Sequence, residues 1–97
     1  MKTKPKLSLE TAAEAFRRSN GICVSCLTKR AVQWHHVFSQ QKFPELADDI
    51  DNIIPLCQRC HDRHTHAVER LPRRVCRHAE KLAKDEAMKA YLERVYG

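Results

Sequence analysis

A small, metal-stabilised α+β domain is the fold class that the sequence predicts, on three observations. The chain has 97 residues, 42% of them hydrophobic and six aromatic. That suffices for one domain over 1–97 with a modest core, a size at which many domains add a metal or disulfides. Five residues are cysteine, and four form two C-x-x-C pairs, Cys23-Val24-Ser25-Cys26 and Cys57-Gln58-Arg59-Cys60, thirty residues apart. Helical periodicity marks both ends of the chain, whereas the middle carries a β-branched and aromatic run.

In chain order, residues 1–6 read as a loose basic tail. Ser8 suits an N-cap, and Leu9 to Arg18 reads as a short helix with Leu9, Ala12, Ala13 and Phe16 on one face. Asn20-Gly21 tolerates the left-handed backbone that ends a helix, and Ile22 to Cys26 follows as a tight knuckle. Ala31 to Val37 is the best strand candidate. Residues 38–51 hold Pro44 and the acids Glu45, Asp48, Asp49 and Asp51, without periodicity, and read as a loop. Asp51-Asn52 is a turn signal before the apolar run Ile53 to Leu56. A helix is expected from Gln58 to about Arg70, and Pro72 breaks it. A second helix is expected from about Arg73 to Tyr96, its apolar face carried first by Val75, Ala79 and Leu82, then by Met88, Leu92 and Val95. The motif-bearing core thus spans about 20–70 and a C-terminal helical extension about 73–96.

Two C-x-x-C pairs suit a tetrahedral ion, because each knuckle presents two sulfurs and two knuckles close the shell with no open position. Cys23, Cys26, Cys57 and Cys60 are therefore read as a structural zinc site. Cys57-Gln58-Arg59-Cys60-His61 also spells the C-x-x-C-H of a c-type haem attachment, but that reading leaves Cys23 and Cys26 unexplained. The N-terminus shows no apolar run behind its lysines, so neither a secretory signal nor a membrane span is expected. The expected compartment is a reducing cytoplasm, where such thiols bind metal rather than pair as disulfides. Cys76 reads as a half-buried helix residue.

Five of the six histidines lie beside the cysteine pairs: His35, His36, His61, His64 and His66. Adjacent strand residues point to opposite faces, so His35 and His36 cannot share a task. His61 and His64 are three apart on the expected helix and share a face. His35 with His61 and His64 could hold a second metal with positions left open for chemistry. His78 is isolated and reads as surface.

The net charge is +6, which suits a polyanion such as nucleic acid. From Arg59 to Lys84, eight Lys/Arg face three acids. Arg59, Arg63, Arg73, Arg74 and Arg77 are candidates to contact a phosphate backbone. With only two glycines there is no glycine-rich phosphate loop.

Taken together, "CVSC", "WHHV" and "DNIIPLCQRCH" resemble the HNH endonucleases that carry a four-cysteine zinc site. The three letters fall on His36, Asn52 and His61, and the resemblance covers about residues 20–66. It implies a ββα-metal, treble-clef-like core with an N-terminal and a C-terminal helix around it. It also implies metal-dependent hydrolysis of DNA phosphodiester bonds, RNA not being excluded as substrate. By motif position, His36 resembles the general base, His35 the first ligand of a catalytic divalent cation (Mg²⁺, Mn²⁺ or another), and His61 a further ligand. Asn52 resembles the residue that bonds loop backbone and so steadies the histidine strand. Many relatives place the last ligand four residues after His61, where this chain has Thr65. His64 is the choice for that ligand and His66 the runner-up. A non-catalytic zinc module that binds nucleic acid is the alternative function. Phage DNA processing, with its packaging or recombination proteins as partners, and host restriction are two settings such an enzyme would suit, in a bacterial or phage-infected cell.

Overall fold

A computed structural model describes residues 7–66 and 70–97. Its centre is an antiparallel hairpin of β1, Gln33–His36, and β2, Ile53–Leu56, in the register Gln33↔Leu56, Trp34↔Pro55, His35↔Ile54 and His36↔Ile53. Helix α1, Leu9–Arg18, packs on one side of the hairpin. Helix α2, Gln58–Thr65, leaves β2 directly, and helix α3, Glu86–Val95, closes the chain. The result is a small α+β fold of ββα type with a helix at each end.

Ser8 caps α1 by accepting a hydrogen bond from Thr11 N at 3.2 Å. The helix docks through Trp34, whose Nε1 donates to Ala12 O at 2.9 Å and whose ring stacks on Phe16 with centroids 6.3 Å apart. The docked side is Ala12, Ala15 and Phe16. Leu9 is 89% exposed and Ala13 is also exposed, so the face expected from apolar spacing is rotated toward Ala15. Trp34 sets that angle, and a ten-residue helix carries too few apolar positions to fix it alone. Asn20 (φ 56) and Gly21 (φ 74) end the helix in left-handed backbone. Gly21 is obligatory there, because a Cβ would stand 2.7 Å from the Phe16 ring.

The strand is shorter than the expected Ala31–Val37. Ala31 N already donates to Gly21 O and Val37 N to Asn52 O, at the hairpin ends. The 38–51 loop contains two single 3₁₀ turns, Pro44–Leu46 and Ile50–Asn52. Three of its acids are bonded: Asp48 Oδ1 accepts from Ser8 N at 2.7 Å, Asp49 Oδ1 from Asp51 N at 2.9 Å, and Asp51 pairs with Arg18 at 3.0 Å. Asp48 and Asp51 dock α1 against the loop.

Two helix boundaries differ from expectation. Helix α2 ends at Thr65, with His66 as its C-cap. Of the expected continuation toward Arg70, residues 67–69 lie outside the described residues, as does the basic tail of 1–6. The expected single helix from Arg73 to Tyr96 is instead two 3₁₀ turns, Arg73–Cys76 and Ala79–Leu82, followed by α3. Ala83 is extended (ψ 99), and Asp85 accepts from Met88 N at 2.9 Å, so an N-cap starts a new helix where a continuous one was expected. Aspartate favours such caps because its carboxylate satisfies an N–H that a helix start leaves orphaned.

The apolar periodicity still marks the inside. Val75, Ala79 and Leu92 are buried, with Val37, Phe38, Leu56, Cys76, Tyr91 and Tyr96 around them. The C-terminal segment therefore covers the hairpin. Its last residue is tied back by Gly97 N to Leu71 O (3.0 Å) and Arg73 N to Gly97 O (2.6 Å). Among the described residues, no helix is long and apolar enough to cross a membrane.

Candidate metal and catalytic site

The knuckle Cys23–Cys26 and the β2–α2 junction Cys57–Cys60 meet at one point. The Sγ atoms of Cys23, Cys26, Cys57 and Cys60 all lie within 4.8 Å of one another, and none is in a disulfide. A tetrahedral zinc with Zn–S near 2.3 Å separates its sulfurs by about 3.8 Å, and Cys26 and Cys57 Sγ stand 3.9 Å apart. The donor set therefore fits zinc. The backbone is shaped for it: Leu27 adopts a left-handed φ of 63, and Cys57 caps α2 by accepting from Cys60 N at 3.5 Å. The Thr28 hydroxyl bonds Cys26 Sγ at 3.4 Å, and together with the backbone N–H groups of Thr28 and Lys29 it pulls that thiol down to about 6. Burial, reinforced by Cys57, pushes Cys60 up to about 12. A thiolate at Cys60 thus needs a cation beside it, which a zinc ion would supply.

Arg74 braces this cluster from the C-terminal segment. Its guanidinium donates to Val24 O at 2.6 Å and to Ser25 O, the two carbonyls inside the first knuckle. Of the five arginines read as phosphate contacts, Arg74 is engaged here and Arg73 pairs with Glu80 at 3.0 Å. Arg59 and Arg77 are exposed. Arg59 and Arg63 line a cleft of about 300 Å³ beside the cysteines, with Lys29 and Arg70. Arg70, counted in the basic run, and Lys29, from the far side of the first knuckle, were not among the five residues read as phosphate contacts.

The histidines divide by strand face. His36 shares its face with Trp34, and its Nε2 donates to Ala47 O at 2.8 Å. A carbonyl can only accept, so in the neutral ring Nε2 carries the proton and Nδ1 keeps a lone pair. Ala47 is fixed by the adjoining turn, and the turn by Asn52. The Asn52 side chain is completely buried. Its Oδ1 accepts from Phe38 N at 2.6 Å, and its Nδ2 donates to Phe38 O (3.1 Å) and Leu46 O (3.0 Å). Asn52 thus joins the exit of β1 to the turn that holds His36.

His35 points the other way, toward α2 and the C-terminus. Its ring centroid lies 5.0 Å from that of His64 and 6.2 Å from that of His61, both edge-on. His66, the runner-up ligand, is exposed at the end of α2. Burial, then the neighbouring histidines, lowers His35 to about 3, so its imidazole is neutral at physiological pH and offers a lone pair. His64 is lowered for the same first reason. His61 Nδ1 is buried and has no hydrogen-bond partner, Asp62 Oδ1 standing 3.8 Å from it. The three histidines stand looser than the cysteines, which are the one set of donors drawn within 4.8 Å among the described residues. They form a partly buried imidazole cluster, the donor type that divalent transition ions accept.

Residues 23–67 match the family model described as HNH endonuclease. Neither a curated protein nor a solved structure matches the chain.

Proposed function

On the match of residues 23–67 to the HNH endonuclease model, we propose that the protein is a metal-dependent endonuclease that hydrolyses DNA phosphodiester bonds. The observation that supports this most is the placing of His36. One ring nitrogen is held by a backbone carbonyl, which leaves the other to take a proton, one residue from a histidine set suited to a cation.

In this reading His36 Nδ1 removes a proton from the water that attacks phosphorus. His35, His61 and His64 hold a divalent cation, Mg²⁺ or Mn²⁺ being the natural candidates. When bound, the cation would stabilise charge on the phosphate and on the departing 3′ oxygen. Asn52 keeps the His36 carbonyl partner in place through the 44–47 turn. Cys23, Cys26, Cys57 and Cys60 would hold a structural zinc, and by tying the knuckle to the start of α2 they help place His61 and His64. Arg59, Arg63 and Arg77 draw the DNA backbone toward the domain without reading bases, so binding should be salt-sensitive and weakly sequence-specific.

Purified protein with Mn²⁺ or Mg²⁺ should nick or cut plasmid DNA, and His36→Ala should abolish this while zinc stays bound. Cleavage unchanged by that substitution would sink the mechanism. Binding to DNA with no metal-dependent cleavage in the wild type would instead favour a non-catalytic zinc module.

A further inference from the structure

Tyr96 belongs to no motif, yet it lies at the histidine cluster. It is 3% exposed and reaches the cluster from the end of the chain, 61 positions from His35. Its hydroxyl makes two contacts: to Val37 O at 2.8 Å and to His35 Nε2 at 2.9 Å. Its ring stacks on that of His64, with centroids 5.4 Å apart and planes 12° from parallel.

The proton count of the hydroxyl decides what these contacts do. Val37 O has no proton to give, so the single hydroxyl proton of Tyr96 is used there. The contact with His35 then needs a proton from the imidazole, which makes Nε2 the donor and the hydroxyl oxygen the acceptor. His35 is thereby fixed as the Nε2–H tautomer, with Nδ1 left as its only lone pair. A histidine that ligates a metal through one nitrogen commonly has the other bonded in this way, which sets both tautomer and ring orientation. The stacked ring meanwhile limits the rotamers open to His64.

The geometry points to Tyr96 as a positioning residue for the divalent-cation site: its hydroxyl presents Nδ1 of His35 as the ligand atom, and its ring holds His64 beside it. This rests on the reading of His35, His61 and His64 as ligands. It gives the C-terminal segment a part in the site besides covering the core.

The test uses the full chain with zinc bound. Imidazole ¹⁵N shifts, recorded without added Mn²⁺, should show His35 as one Nε2–H tautomer, and Tyr96→Phe should abolish that single form. Mn²⁺ titration followed by electron paramagnetic resonance should show about 10- to 100-fold weaker binding in Tyr96→Phe, with the zinc content unchanged. A wild-type His35 protonated at Nδ1 would overturn the proposal whatever the variant does. Equal Mn²⁺ affinity in wild type and Tyr96→Phe would overturn it while leaving the ligand set intact. A wild type that binds no Mn²⁺ would remove the ligand set, and the proposal with it.

Discussion

Replacing Asn52 by alanine should destabilise the protein more than any exposed substitution in the loop it holds. Asn52 is 0% exposed and makes three hydrogen bonds, to Phe38 N, Phe38 O and Leu46 O. Alanine removes all three partners and leaves one backbone donor and two acceptors unpaired in or near the core. Each orphaned group costs about 1–3 kcal/mol. Leu46 O lies nearer solvent and can recruit water, so the total is about 3–6 kcal/mol, against a typical stability of about 5–15 kcal/mol for a whole domain. For a chain of this size, each kcal/mol moves the thermal midpoint by about 4–8 °C. The melting temperature should therefore fall by at least about 12 °C, measured with zinc in excess so that metal loss does not define the transition. Asn52→Asp separates bonding from volume. It keeps an acceptor for Phe38 N but turns the donor toward two carbonyls into a carboxylate oxygen. It should be at least as damaging at neutral pH and recover partly in acid, where a protonated carboxyl regains one donor. A midpoint for Asn52→Ala within about 3 °C of wild type would refute the reasoning, because three buried bonds cannot then be what holds the turn.

Further outcomes follow from the same geometry. Arg74→Ala should lower stability by about 1 kcal/mol and speed zinc loss to a chelator, because the Val24 and Ser25 carbonyls lose their donor; it should leave the salt dependence of DNA binding unchanged, whereas Arg59→Ala should reduce that slope by about one. His35 sits near 3 when folded against an ordinary 6.5, so between these pH values the unfolded chain takes up a proton that the folded chain refuses, and stability falls as pH falls. Between pH 6.5 and 5.0 the wild type should lose up to about 2 kcal/mol more than His35→Asn in denaturant titrations, which cancel the acid sensitivity of the zinc site common to both. Metal analysis after dialysis should find about one zinc per chain, and a chelator strong enough to remove it should unfold the domain; a folded, metal-free protein would exclude a structural role for the four cysteines.

What could be read from the sequence was what neighbours in the chain determine. The two C-x-x-C pairs needed only their own spacing, and β1, β2 and the starts of α1 and α2 lay where side-chain type and capping residues put them. The histidine faces followed from strand alternation and helical spacing alone. The C-terminal half shows the opposite case. The spacing of Val75, Ala79, Leu82, Met88 and Leu92 correctly marked the side facing the core, but a 3₁₀ turn and an α-helix bury similar positions over a few residues. The break at Ala83–Asp85 was decided by one carboxylate bonding one backbone N–H, a competition that apolar periodicity does not register. The parts of Tyr96 and Tyr91 were not legible, and Arg74 was read as a phosphate contact rather than a brace of the first knuckle, because each acts across 49 or more positions.

These long-range ties explain how two adjacent histidines can be held for different tasks. His36 is fixed on one face by Ala47 O, and that turn by Asn52. His35 is fixed on the other by Tyr96, whose hydroxyl also bonds Val37 O, while Tyr91 accepts from Ser39 N at 3.3 Å. The segment just after the two histidines is thus gripped from the loop side through Asn52 at Phe38, and from the C-terminal side at Val37 and Ser39. The two grips use no side chain in common. A change on one face should then move one proposed function more than the other: Asn52 variants the placing of His36 as the proposed base, Tyr96 variants the cation binding proposed for His35. Combined substitutions should be close to additive in stability only where they draw on opposite grips. A large coupling between Asn52→Ala and Tyr96→Phe would show that Val37–Ser39 moves as one piece, and that the two histidines are positioned jointly.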